Sequence, residues 1–184
     1  MGWTLIASTQ GSLMRLVCDY FRAPDRTTAL FLHFTEYWID TPLPDAEAVR
    51  LKSIDPYVML GTLIRLLLSR ATFEDVLYSG IPELEIPDPE LLTPEDDDPI
   101  IVELDVLVRD TLAQATQAEM DAAAPLWAQT EEFVSREYIG FPEAQRAIAD
   151  LAGLAGRAKA AGQMMYCLIC PFPRIVEWLP PQAE

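Results

Sequence analysis

Residues 81–99 read IPELEIPDPELLTPEDDDP, and no other stretch limits the fold as strongly. Five prolines, at 82, 87, 89, 94 and 99, prevent an α-helix or a regular central strand from running through it. It also carries eight carboxylates and no base. Asp96, Asp97 and Asp98 repel one another by about 1 kcal/mol per close pair in water and by several times that out of solvent. They must face water or a cation. The segment therefore reads as an acidic, proline-rich extended loop within a single globular domain covering 1–184. A calcium loop does not fit, because the spacing lacks the central glycine and closing glutamate of an EF-hand. Two readings stay open: a solvated surface loop, or a docking surface for a basic partner.

The loop lies in the middle of a strong charge asymmetry. The chain has 29 acids and 13 bases, a formal net charge of -16. Residues 1–70 balance at seven of each, residues 71–150 hold 20 acids and three bases, and residues 151–184 hold two acids and three bases. Such a balance repels phosphate backbones and argues against nucleic acid as a partner.

A chain of 184 residues with 51% hydrophobic content buries a stable core without metal or disulfide help. Its three cysteines, Cys18, Cys167 and Cys170, are odd in number and too few for a secreted disulfide framework, so we expect them reduced. No charged leader precedes a long apolar run at the N-terminus, and the longest apolar stretch, 57–68, is interrupted by Arg65. A cytoplasmic location and no membrane association follow as expectations.

Periodicity predicts an α+β fold, α-rich, with a small sheet packed by about six helices. Strands are expected near 3–9, 29–39 and 163–170, the second because ALFLHFTEYWI is dense in aromatic and β-branched residues. Gly11-Ser12 offers a cap for a helix over 13–21, and further helices are expected over 45–54 and 55–70. Asp55-Pro56 would open the latter. Thr72 and Asp75 have capping-box spacing for a short helix ending at Ser79-Gly80. Residues 99–124 fit a helix capped by Asp98, although Val102, Leu104, Val106 and Val108 also alternate as a strand would. Pro125 should open another helix, and Pro142 one that reaches 161. On this last helix the four-residue spacing of Ala149 with Gly153, and of Ala152 with Gly156, makes a thin face suited to self-association.

Tests for catalytic chemistry give little. Cys18, His33, Cys167 and Cys170 form a Cys3His set that zinc accepts, but Cys167 and Cys170 lie in an apolar run without a turn-forming glycine, and buried core cysteines are the expectation. Cys18 with His33 as nucleophile and base lacks a helix N-terminus to lower the thiol pKa. There is no G-x-S-x-G elbow and no phosphate-cradling glycine loop, so no cofactor is expected. Glu36 on the aromatic stretch could supply carboxylate chemistry, yet it reads more simply as a solvent-facing residue. The four tryptophans read as packing residues.

The leading functional expectation is thus a non-catalytic intracellular binding protein of inhibitor or immunity-protein type, docking an acidic surface on a basic protein partner. Glu83, Glu85, Asp88, Glu90, Glu95, Asp96, Asp97 and Asp98 would make the contact. The alternatives are a small cofactor-independent enzyme using carboxylates in an aromatic-lined pocket, and a self-associating adaptor or structural protein.

Overall fold

A computed structural model describes residues 15–34, 48–52, 54–94, 99–134 and 140–172. The architecture is α+β. Five antiparallel strands form one sheet: β1 (Arg15–Ala23), β2 (Ala48–Lys52), β3 (Glu90–Leu91), β4 (Ile100–Glu103) and β5 (Met164–Phe172), in the order β2-β1-β5-β4-β3. Seven helices accompany it among the described residues: α1 (Arg26–Phe34), α2 (Met59–Ser69), α3 (Phe73–Ser79), α4 (Val106–Gln114), α5 (Gln117–Trp127), α6 (Glu131–Val134) and α7 (Phe141–Ala160).

Strand β1, between β2 and β5, is buried on both faces, which explains its sequence. Cys18 and Tyr20 point into the main core with Val102, Met165, Cys167 and Ile169, against the layer built by α2, α4, α5 and α7. Phe21 and Ala23 point the other way and meet Ile101, Tyr166, Leu168 and Ala29 of α1. A strand with two apolar faces shows no alternation of apolar with polar residues. That is why 13–21 imitated a helix, and its described part is a strand instead.

Four further expectations are corrected. The described part of 29–39 belongs to α1, because the Asp25 carboxylate accepts from the Thr28 N–H at 2.8 Å and caps a helix. Within 45–54, residues 48–52 are strand β2: Leu51 pairs opposite Cys18 in the core, while Arg50 pairs opposite Asp19 on the other face. Pro99 leads into a strand rather than a helix: β4 over 100–103 joins β5 and β3, with Val102 in the main core and Ile101 in the second, so the strand has two apolar faces and not the alternation of Val102, Leu104, Val106 and Val108. The helix then starts at α4, capped by Asp105 through the Leu107 N–H. A second cap at Thr116 begins α5, and Pro125 lies inside α5 instead of opening a helix of its own. The strand expected at 3–9 lies outside the described residues.

The strongest local signals correspond to what forms. Asp55 accepts from the N–H groups of Tyr57 and Val58 just before α2, eight of whose eleven residues are buried. The Thr72–Asp75 capping box is present at α3, which ends at Gly80. Helix α7 runs twenty residues, and Gly162, at φ 66°, turns the chain straight into β5. The buried face of α7 carries Ala144, Ala147, Ile148, Leu151, Leu154, Ala155 and Ala158, and it packs most extensively on α4. Ala149 and Gly153 face outward, with Ala152 and Gly156 half-buried at the edge.

Candidate functional site

The acidic segment crosses the molecule as a belt fastened at several points. Ile81, Ile86 and Leu91 are half-buried against the main core, and Leu92 packs on the second core. From α2, the Arg65 Nε donates to the Leu84 carbonyl at 2.9 Å. At its far end the belt becomes β3, with the Leu92 N–H donating to the Ile101 carbonyl at 2.9 Å and the Thr93 hydroxyl accepting from the Ile101 N–H at 3.1 Å. Prolines and inward apolar residues together fix which side chains turn out.

Glu83, Glu85 and Asp88 are exposed, and none of them makes an ion pair with another described residue. Glu90 differs. Its carboxylate receives both Arg26 terminal nitrogens, one at 2.8 Å, while the Arg26 Nε binds Glu103 on β4. Arg26 thus ties α1 to the belt and to the sheet, and the two carboxylates, Glu90 foremost, raise its pKa further. Glu95, Asp96, Asp97 and Asp98 lie outside the described residues.

Helix α3 leads directly into this belt. None of its seven residues is buried, and Phe73, Leu77 and Tyr78 are 55%, 64% and 83% exposed. Large apolar side chains placed beside an acidic strip give the surface an apolar component that charge counting does not register.

Between belt and helices lies a small cleft, lined among others by Pro56, Tyr57, Gly61, Arg65, Pro87 and Asp88. Its interior of about 30 Å³ holds roughly one or two waters, far less than an ordinary small-molecule site. Asp88 is the one carboxylate in its lining. Burial raises the Tyr57 phenol above its ordinary value, with Asp88 and Asp55 among the charges adding to the shift.

Cys18 and Cys167 sit side by side in the core, and burial pushes the Cys167 thiol well up, away from the reactive thiolate. Cys170 is half-buried on the opposite face, where Val17 is its partner in register. The His33 side chain and Glu36 lie outside the described residues. Among the described residues no group of three or more potential metal ligands converges, and no helix is long and apolar enough to cross a membrane. Trp127 is a packing residue: fully buried, it meets Phe133 edge-on and its Nε1 donates to the Met59 carbonyl at 2.9 Å. A comparison with protein families, curated proteins and solved structures finds no match for this chain.

Proposed function

We propose that this chain is a non-catalytic binding protein, of inhibitor or immunity-protein type, whose acidic belt docks on a basic protein. One observation carries the reading: Glu83, Glu85 and Asp88 are exposed and make no ion pair with another described residue, on a segment whose Ile81, Ile86 and Leu91 pack on the core. A held segment presents charge with little ordering entropy left to lose on binding. From Glu83 to Glu90 the belt spans at most about 25 Å, long enough to meet several basic side chains at once. The neighbouring Phe73, Leu77 and Tyr78 add area that salt does not weaken. Opposite charge speeds encounter and selects against acidic competitors.

The test is affinity capture at low and high salt, using the native chain beside a Glu83→Gln, Glu85→Gln, Asp88→Asn variant. A basic protein retained by the native chain at low salt, released by salt and lost by the variant, is the expected result. Equal retention by the variant would reduce the belt to a solubility feature.

A further inference from the structure

Gly61 is a glycine in the middle of the core helix α2, where alanine is the more stabilising residue. No packing within the protein requires it: a Cβ built there meets nothing within 4 Å, although the residue is buried. The empty space is the cleft, of which Gly61 forms part of the lining. A missing side chain at a position that would welcome one keeps the cleft open.

The surroundings define what fits. Tyr57, 40% exposed, offers an aromatic ring, and Pro56 and Pro87 add apolar walls. Asp88 supplies a carboxylate within the lining, and Asp55 lies close enough to act on the same phenol. Arg65 brings its charge into the same lining, with its Nε held on the Leu84 carbonyl at 2.9 Å, so an entering cation must come closer to Asp88 than to Arg65. A ring, a carboxylate and an apolar wall suit a cation with an aliphatic stem. Size then favours one cation over another: a space of about 30 Å³, one or two waters' worth, admits a compact ammonium more readily than a planar guanidinium.

We propose that this cleft is a socket for a lysine side chain of the basic partner, its ammonium beside Asp88 and its stem across Tyr57. The assignment rests on the docking reading and names the residue that anchors it.

The test titrates Ac-Gly-Lys-Gly-NH2 into the full-length chain at low salt and follows backbone amide chemical shifts. Saturable shifts at Tyr57, Gly61 and Asp88 are expected, with at least tenfold weaker binding of the norleucine counterpart, which keeps the stem and loses the charge. Gly61→Ala should abolish these shifts while the remaining amide spectrum stays that of the folded protein, and Asp88→Asn should weaken binding at least threefold. Equal binding of the norleucine peptide, or tighter binding of the arginine peptide, would overturn the lysine assignment. Pentalysine separates the two layers of the argument. Salt-sensitive shifts at Glu83 and Glu85 without any at the cleft would overturn the socket and leave the belt as a docking surface. No shifts at either place would overturn both.

Discussion

Asp19 is the charged residue most exposed to the consequences of its own burial. It sits on β1 with its side chain 7% exposed, and Arg50 on β2 answers it with two hydrogen bonds of 2.8 Å. The Asp19 carboxylate holds the Arg50 guanidinium firmly protonated, raising its pKa. Arg50 is half in solvent, so the pair contributes modestly, yet removing the arginine strands a buried carboxylate. Arg50→Met should cost about 1–2 kcal/mol in urea unfolding. The double variant Asp19→Leu, Arg50→Met should lie closer to the native stability than Arg50→Met alone, because it leaves no orphaned charge. A double-mutant cycle by chemical denaturation checks both statements.

Capping decides the behaviour of the helices. Thr116 and Glu119 form a capping box at α5, whose Ala123, Ala124, Leu126 and Trp127 are buried. Thr116→Ala should lower global stability by about 1 kcal/mol. The equivalent Thr72→Ala at α3 should unfold only that helix, since none of its residues is buried, and would show as local loss of amide protection. Hydrogen bonds from Thr116 lower the Glu119 pKa, as those from Thr72 lower that of Asp75. A carboxylate whose pKa is depressed by folding stabilises the protein above its ordinary value and loses that contribution as pH falls through the lower, folded value. Urea midpoints should therefore fall below about pH 4, somewhat less steeply in Thr116→Ala, where Glu119 loses the hydroxyl's hydrogen bond but keeps that of the backbone N–H. These caps also show where sequence reading succeeds. Helices α2, α3 and α7 and strand β5 carry signals within a few residues of themselves: Asp55 before Pro56, Thr72 with Asp75, Pro142, Gly162. Strand β1 carries none, because both its faces are buried, and the Asp25 cap of α1 was masked by the strand-like composition that follows it. The same division applies to the candidate site. Its carboxylates are legible as composition, whereas its fastenings by Arg65 and Arg26 join residues 19, 64 and 77 positions apart and leave no local trace.

For the whole molecule, a net charge of -16 opposes compaction, so every unpaired surface carboxylate adds a little self-repulsion. The variant Glu83→Gln, Glu85→Gln, Asp88→Asn should be as stable as the native chain or more so, within about 0.5 kcal/mol, and its thermal midpoint should respond less to added salt. Scanning calorimetry at two ionic strengths measures this. The pairing of β1 with β5, from Arg15 opposite Phe172 to Ala23 opposite Met164, governs how the chain reaches this state at all. The two longest strands of the sheet, paired over their full length, come from opposite ends of the described chain. On a ribosome β1 emerges well before β5, its longest partner, and all seven described helices are made in between. Until β5 follows, β1 has only the short β2 beside it and its two apolar faces lack most of their cover, the interval in which a nascent chain most depends on chaperones. Closing so long a loop also places refolding of the isolated protein on the slow, millisecond-to-second side of the range for single domains. Refolding completed in microseconds in a temperature-jump experiment would contradict this expectation.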